Sequence, residues 1–273
     1  LASIVQEEHT SGFSFELAKR NQFLADKGIV APTATKTGTT IVGMIFDGGV
    51  VLGADTRSTN GSVVADKNCE KIHYIAPNVF CCGAGTAADT ENTTAMIASK
   101  LELERLHSGK ESRCVAALTK LKQYLFGYQG YVSAALVLGG VDRTGPHLYT
   151  VHPHGSTDEL PFVTMGSGSL AAMAVFEKGY KEGLSQAEAM QMVYEAISAG
   201  IFNDLGSGGN VDLCVITQGN VQHHRNYAKE NERSYRNPRG YAFPKGSADV
   251  LSEQFLPISQ VLVVEEVQGM DTE

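Results

Sequence analysis

Thr39 has the clearest potential for chemistry, because it follows Gly38 where the breaker-rich stretch "APTATKTG" meets the β-branched stretch "TTIVG". A threonine hydroxyl is a weak nucleophile and needs a base. Cleavage after Gly38 would create one, since a free α-amino group has a pKa of about 7.7–8.0 and is partly neutral near pH 7. Gly38 has no Cβ atom, which would let the Thr39 hydroxyl reach the carbonyl in front of it. Two interpretations stay open at this point: a linker that meets a domain, or a removable segment of residues 1–38 before an N-terminal nucleophile.

Three glycine-rich stretches are further candidates. "GAGTAAD" at residues 83–89 imitates a dinucleotide-binding fingerprint, but it lies in a region that we expect to be antiparallel. We expect it to be a helix N-terminus, whose backbone amides can stabilise an oxyanion. The stretches "GSGS" at 166–169 and "GSGG" at 206–209 are either functional loops or simple turns.

The histidines predict neither a base nor a metal site. His152 and His154 have no matching ligand spacing elsewhere, so a turn is expected there. His223 and His224 are expected to be solvated, in a polar region after the last core strand. We therefore predict no metal and no other cofactor.

Composition excludes several classes of protein. The 273 residues are 42% hydrophobic and 19% charged with 29 glycines, which is typical of a soluble globular protein with many tight turns. A net charge of −8 disfavours nucleic-acid binding, and no apolar run approaches the length of a membrane span. The five cysteines mostly lie in apolar runs, which indicates reduced thiols and a reducing compartment. We expect the protein in the cytoplasm and nucleus.

The order of elements predicts the fold class. A hairpin hinged at Asp47-Gly48-Gly49 is followed by more strands, two helices, strands, two further helices and the strand "NVDLCVIT". Many strands are apolar at nearly every position, as expected when both faces are covered. We predict an α+β fold of four layers, an α-β-β-α sandwich of two antiparallel sheets.

A set of segments distributed along the chain resembles proteasome β subunits, more narrowly the trypsin-like β2 type of the eukaryotic 20S core. The segments are "TTIVG", "LGADTR", "VVADKNCEKI", "CCGAGTAADTE", "GSGSLAAMAV" and "AGIFNDLGSGGNVDLCVI". The resemblance implies the N-terminal-nucleophile hydrolase fold and a threonine endopeptidase that cleaves unfolded, ubiquitin-targeted polypeptides after basic residues. It also implies a pro-segment of residues 1–38 removed by self-cleavage at Gly38-Thr39, a catalytic domain of 39–219, and a C-terminal extension of 220–273.

The resemblance also implies the catalytic residues. The nucleophile corresponds to Thr39, while Lys71 would favour the deprotonated character of its hydroxyl and Asp55 would keep Lys71 charged and oriented. Three supporting residues correspond to Ser167, Asp204 and Ser207: the two serines would hydrogen-bond the new amine and any ordered water, and Asp204 would fix Ser207. The oxyanion donor corresponds to the backbone amide of Gly85.

A specificity pocket follows from the same resemblance. Gly83 would leave room at its base for a long side chain, and Glu91 would pair with an incoming Lys or Arg. Ala87 lies four residues before Glu91 and hence on the same helix face. The remaining residues are Cys69, which would line the pocket, and Thr59 and Ser58, which would pair with the substrate backbone like an added strand.

The partners implied are the α ring, the other β subunits, regulatory cap particles and polypeptide substrates, with no nucleic acid and no membrane. The β-branched run in the extension would wrap a β3-type neighbour, since such a surface needs a partner. Two alternatives remain: another N-terminal-nucleophile amidohydrolase, and an assembled but inactive structural β subunit.

Overall fold

Two antiparallel five-stranded sheets lie face to face in the computed structural model, which describes residues 16–29, 35–230, 232, 237–238, 240–246 and 248–256. The strands are β1 (Thr40–Phe46), β2 (Gly49–Asp55), β3 (Ser58–Asn60), β4 (Val63–Asp66), β5 (Ile72–Ala76), β6 (Val79–Gly85), β7 (Ala134–Asp142), β8 (Gly145–Val151), β9 (Thr157–Glu159), β10 (Phe162–Gly166), β11 (Asn210–Thr217) and β12 (Asn220–Lys229). The first sheet has the order β10-β1-β2-β11-β12 and the second β5-β6-β7-β8-β9, while β3 and β4 form a separate hairpin.

Two pairs of helices cover the outer faces of the two sheets, and a further, mostly exposed helix precedes the first strand. The helices are α1 (Glu16–Asp26), α2 (Ala87–Ser108), α3 (Cys114–Gly127), α4 (Ser169–Gly179) and α5 (Gln186–Asn203). Helices α2 and α3 pack on the second sheet, and α4 and α5 pack on the first. The predicted four-layer α-β-β-α sandwich is confirmed.

Three hydrophobic clusters fill the spaces between the layers. A middle cluster between the sheets contains residues such as Leu52, Val137 and Cys214, all fully buried. The outer clusters lie under the helix pairs and include Leu121 on one side and Phe176 on the other. Because each sheet is covered on both faces, its inner strands are apolar at nearly every position instead of alternating.

The strand register of the first sheet brings distant chain segments to one edge. Strands β1 and β2 form the predicted hairpin, in which Gly48 has the positive φ of 91° that a tight turn requires. Thr40, at the start of β1, pairs with Gly166 at the end of β10. Asp55, at the end of β2, pairs with Val211 at the start of β11. The residues just outside these strands therefore meet at the same end of the sheet.

Strand β12 corrects the predicted boundary after residue 219. Residues 220–229 pair with β11 and belong to the sheet, so they are not part of an extension. The first compact unit ends at Glu232. Solvation was the wrong expectation for His224, since its Nε2 atom is buried there. Strand β12 could not be predicted from the sequence, because "NVQHHRNYAK" is polar and the strand lies at a sheet edge.

The second compact unit comprises Arg233–Glu273. Its described residues form turns and irregular structure, without helix or strand. Several apolar side chains among them are exposed: Tyr241, Phe243, Val250, Leu251, Phe255 and Leu256. The β-branched run "QVLVVEEV" lies outside the described residues, so its predicted contact with a neighbour stays a prediction.

Candidate active site

Thr39 lies immediately before β1, and it is almost completely buried. Its Oγ1 atom donates a hydrogen bond of 2.7 Å to the carbonyl oxygen of Gly38. The Lys71 Nζ atom donates to the same two oxygens, at 3.1 Å to Thr39 Oγ1 and 3.1 Å to Gly38 O. One ammonium group thus contacts both the hydroxyl and the carbonyl in front of it, and it can stabilise negative charge on either.

Asp55 holds Lys71 from the other side. Its Oδ1 atom lies 2.8 Å from Lys71 Nζ and also accepts from the Thr40 amide at 2.9 Å. The Oδ2 atom accepts from the amides of Arg57 at 3.2 Å and Gly208 at 3.1 Å. Asp55 is fully buried, and these four donors compensate for the water that its carboxylate has lost. The ion pair is therefore fixed in geometry as well as in charge.

A second polar cluster surrounds the backbone nitrogen of Thr39. That nitrogen donates to Ser167 Oγ at 3.0 Å, and Ser167 Oγ donates to Asp204 Oδ2 at 2.6 Å. Ser207 Oγ donates to the same Oδ2 atom at 2.7 Å. Burial raises the pKa of Asp204, but hydrogen bonds from Ser167, Ser207 and the Gly206 amide outweigh it and hold this pKa below its usual value. Asp204 is thus an ionised acceptor that orients both hydroxyls.

The structure brings together all six residues that the resemblance implied as catalytic: Thr39, Asp55, Lys71, Ser167, Asp204 and Ser207. It also adds Thr40, which the sequence analysis missed. Thr40 Oγ1 lies 2.7 Å from Ser207 Oγ, and it must be the donor because Ser207 uses its proton on Asp204. In the sequence, Thr40 is a β-branched residue at the start of a strand, and this pattern predicts a strand but not a role in the site.

Two glycines permit the close approach of backbone segments here. A Cβ atom on Gly38 would lie 2.2 Å from the Cα atom of Gly206. A Cβ atom on Gly166 would lie 2.1 Å from the Thr39 carbonyl oxygen, and Gly166 also has a positive φ of 98°. Residue 38 must therefore be glycine for packing against Gly206. The sequence analysis gave a separate reason, which is that the missing Cβ atom lets the Thr39 hydroxyl reach the Gly38 carbonyl.

Thr37 and Gly38, the two residues before Thr39, lie along the cleft in the manner of an added β-strand. Thr37 forms an antiparallel bridge with Gly85, whose carbonyl accepts from the Thr37 amide at 3.1 Å and from its hydroxyl at 3.0 Å. The Gly38 amide donates to Thr59 Oγ1 at 3.0 Å. Thr59, expected to pair with substrate backbone, thus pairs with the chain's own backbone through its hydroxyl.

A cavity of about 540 Å³ opens beside Thr39. Five residues predicted for the pocket line it, together with Gly85: Ser58, Cys69, Gly83, Ala87 and Glu91. Gly83 is buried and keeps space free, since a Cβ atom there would lie 2.8 Å from the Cβ atom of Thr90. Thr59 is the exception, as it contacts Gly38 instead of the cavity.

The charge of the cavity is set by groups from several elements. Three exposed carboxylates line it, those of Asp66, Glu70 and Glu91. The two cations that line it are each paired with a buried aspartate, Lys71 with Asp55 and Arg225 with Asp212. The paired cations leave the carboxylates as the uncompensated charge, so the cavity suits a basic side chain.

His73 also lines the cavity, and it is a titratable group that the sequence analysis missed. Burial lowers the pKa of His73, although the nearby carboxylates of Glu91 and Glu70 act in the opposite direction. Asp66, the last residue of β4, and Glu70 lie within three residues of Cys69, so a predicted pocket residue could have led to them. Arg225 could not have been found, because the strand that carries it was not predicted.

Three further findings concern the cysteines, metal ligands and the length of apolar helices. The five cysteines are free thiols, four of them buried and Cys69 partly exposed. Across the described part of the chain, no cluster of three or more His, Cys, Asp or Glu side chains could hold a metal ion. No helix there is long and apolar enough to cross a membrane.

Comparison with known protein families and with individual proteins gives proteasome subunits in each case. A family model described as "Proteasome subunit" matches residues 35–216. The proteasome subunit beta type-7-B of Arabidopsis thaliana is 62% identical over 258 residues, which cover 94% of each chain. The proteasome subunit beta type-7 of Dictyostelium discoideum is 59% identical over 256 residues, 94% of this chain and 96% of that protein. The proteasome subunit beta type-10 of Mus musculus is 52% identical over 268 residues, 97% and 98% of the two chains.

Proposed function

Because the chain belongs to the proteasome β-subunit family, and is thus a threonine peptidase subunit of the 20S core, we propose that it cleaves polypeptides after basic residues and frees its own nucleophile by cutting Gly38-Thr39. The observation that carries the proposal is the position of Lys71 Nζ, 3.1 Å from both Thr39 Oγ1 and Gly38 O and 2.8 Å from Asp55. A cation placed in this way can stabilise negative charge both in self-cleavage at Gly38-Thr39 and in cleavage of a substrate peptide bond.

Self-cleavage starts from the contacts already present. The Thr39 hydroxyl adds to the carbonyl carbon of Gly38, while Lys71 stabilises the charge on the carbonyl oxygen. The peptide C–N bond then breaks, and the proton from the hydroxyl ends on the nitrogen, which becomes the α-amine. Water hydrolyses the remaining ester, which gives the Gly38 carboxylate and restores the hydroxyl.

Substrate cleavage uses the new α-amine as the base. The amine takes the Thr39 proton, Oγ1 attacks the substrate carbonyl, and the proton passes to the leaving amine of the substrate. Water then hydrolyses the acyl-enzyme with the same amine as base. Ser167 keeps this amine in place, because its hydroxyl already accepts from the Thr39 nitrogen, and Asp204 orients that hydroxyl. The Gly85 amide is the proposed oxyanion donor.

Selection of basic side chains rests on the cavity. Glu91, Glu70 and Asp66 supply negative charge, and Gly83 leaves depth for a long side chain. The substrate backbone is proposed to take the course of Thr37 and Gly38, beside Gly85 and Thr59.

The family assignment removes the alternative of a small-molecule amidohydrolase. An inactive structural subunit would be expected to lack Thr39, Lys71 or Gly38, whereas all three are present and in contact. Within the 20S core, we propose that the extension contacts a β3-type neighbour and that regulatory caps act through the assembled core. The cytoplasm and nucleus are the proposed location, in keeping with five free thiols.

The test uses assembled core particles in which this subunit is the only active one. Thr39→Ala should keep residues 1–38 attached by intact mass and should abolish cleavage of peptides with a basic residue before the scissile bond. Thr39→Ser should retain part of the activity, because it keeps a hydroxyl and an α-amine. Continued cleavage of basic peptides by Thr39→Ala particles would show that another residue is the nucleophile.

A further inference from the structure

Arg225 of β12 reaches from the edge of the first sheet to the loop between β4 and β5. Its Nη2 atom donates to the Asn68 carbonyl oxygen at 2.9 Å, and its Nη1 atom donates to the Cys69 carbonyl oxygen at 3.4 Å. Nη1 also donates to Asp212, which is fully buried on the neighbouring strand β11. One planar guanidinium group thus joins the sheet to two successive carbonyls of the loop.

A β-bulge directs Arg225 toward this loop. The pairing of β11 with β12 shifts between Val211 and Leu213, and Asn226 has a positive φ of 53°. The Asn226 amide donates to Asp212 Oδ1 at 2.8 Å, so the carboxylate that binds the Arg225 side chain also holds the bulge. Bulges beside active sites commonly re-aim a side chain in this way.

The loop that Arg225 holds carries part of the active site. Cys69 lines the cavity, and Lys71 follows two residues later, where it contacts Thr39. On its other side the loop is held by Thr56, whose hydroxyl donates to Lys67 O at 2.8 Å and whose carbonyl accepts from the Cys69 amide at 2.9 Å. Thr56 directly follows Asp55, so both anchors of the loop belong to the sheet that bears the ion pair.

We propose that Arg225 is a positioning residue for peptide cleavage, which fixes the 67–71 loop and thereby the place of Lys71 at Thr39. It acts with Asp212, and it does not touch the reacting atoms. The same pairing neutralises Arg225, which lines the cavity, and so keeps the cavity attractive to a basic side chain. The effect on the charge of the cavity rests on the proposed preference for basic side chains, whereas the effect on the position of Lys71 is independent of that preference.

His223 of β12 supports the same loop. Its Nε2 atom lies 3.6 Å from Glu70 Oε1, and its ring contacts Phe80 at 6.4 Å between centroids. His223 lies in the regular part of the strand, and Arg225 lies in the bulge that begins after His224, yet both side chains reach this loop. The strand therefore offers two side chains to one loop, of which Arg225 makes the closer contacts.

The experiment compares Arg225→Ala, Arg225→Lys and the control Lys229→Ala, an exposed cation at the end of the same strand. Each is placed in core particles whose only active subunit is this one. Active sites are titrated with a covalent reagent for N-terminal threonine, and kcat and KM are measured on a basic and a neutral peptide. Processing at Gly38-Thr39 is followed by intact mass.

Arg225→Ala should lower kcat per titrated site by about 10- to 100-fold on both peptides, because a misplaced Lys71 affects the nucleophile whatever the substrate side chain. Arg225→Lys should recover part of kcat, since an ammonium can pair with Asp212 but cannot match the fork geometry that serves both carbonyls. Lys229→Ala should behave as the unmodified particle.

A kcat within twofold of the unmodified value in assembled Arg225→Ala particles would overturn the proposal, even if their thermal stability fell. Should Arg225→Ala fail to assemble, unmodified kcat in Arg225→Lys would overturn it and a reduced kcat would support it. The proposed specificity is tested by a different result. If the unmodified particle shows no preference for the basic peptide, that specificity is wrong, and the role of Arg225 is unaffected.

Discussion

The reactive centre and the cavity beside it are built in different ways. Thr39, Lys71 and Asp55 are 2%, 7% and 0% exposed, and each polar side-chain atom among them bonds within the chain. In contrast, the cavity is lined by the exposed carboxylates of Glu91 and Glu70. Buried, mutually bonded charges are screened little by solvent, whereas exposed ones are screened strongly. Changes in the centre should therefore abolish the reaction, and changes in the cavity should adjust its selectivity.

The largest effect is expected from Lys71→Ala, which removes the ammonium from Thr39 and leaves Asp55 buried without its partner. Self-cleavage and turnover should each fall by at least about 1,000-fold, measured by intact mass and by peptide hydrolysis in assembled particles. Lys71→Arg should not rescue them, because the guanidinium is bulkier and planar. The control is Lys100→Ala on the exposed face of α2. Normal turnover in Lys71→Arg would reduce the Lys71–Asp55 contact to an ordinary structural ion pair.

Gly38→Ala tests the buried centre at the residue before the bond that we propose is cut. The new Cβ atom would lie 2.2 Å from the Gly206 backbone, so the carbonyl must move away from Thr39 and Lys71. Self-cleavage should slow by about 10- to 100-fold in a time course of intact mass. Lys36→Ala, an exposed residue two positions earlier, should be processed normally. Processing of Gly38→Ala at the normal rate would show that this backbone contact relaxes freely.

Glu91→Gln tests the exposed side of the comparison. It keeps the size of the side chain but removes a charge, and a charged hydrogen bond contributes about 1.5–3 kcal/mol, or roughly 10- to 150-fold in rate. Exposure favours the lower end, so kcat/KM for Lys and Arg peptides should fall about tenfold while neutral peptides are spared. Glu104→Gln on the same helix, where Glu104 pairs with Lys120 at 3.0 Å, is the control. An unchanged ratio of basic to neutral cleavage would remove Glu91 from the pocket.

The smallest effect is expected from Thr59→Ala, which removes the acceptor of the Gly38 amide. A neutral hydrogen bond contributes about 0.5–1.5 kcal/mol, so self-cleavage should slow by roughly 2- to 12-fold. Thr59→Ser keeps the hydroxyl and should restore the rate. If Ala and Ser variants are processed alike, the hydroxyl does not help to place the pro-segment.

Much of the fold was predictable from sequence because its signals are local. Alternating and continuous apolar patterns predicted most strands and all four helices of the outer layers, and the turn at Gly48 predicted the first hairpin. Strand β12 was not predictable, because a polar edge strand has no continuous apolar pattern and is held by pairing with β11. The same absence of a local signal concealed Arg225.

For the site, the sequence by itself determined that a hydroxyl, an amide and a missing Cβ atom are next to one another at Gly38-Thr39, which made self-cleavage there one of two open interpretations. The resemblance supplied Asp55, Lys71 and Asp204, which local chemistry would not have selected. Only the tertiary structure decided that Lys71 touches both Thr39 and Gly38, that Thr59 binds the Gly38 amide, and that Arg225 is turned toward the 67–71 loop. Such contacts depend on strand register and on a bulge, and these are set by long-range pairing and core packing instead of by neighbours in the chain.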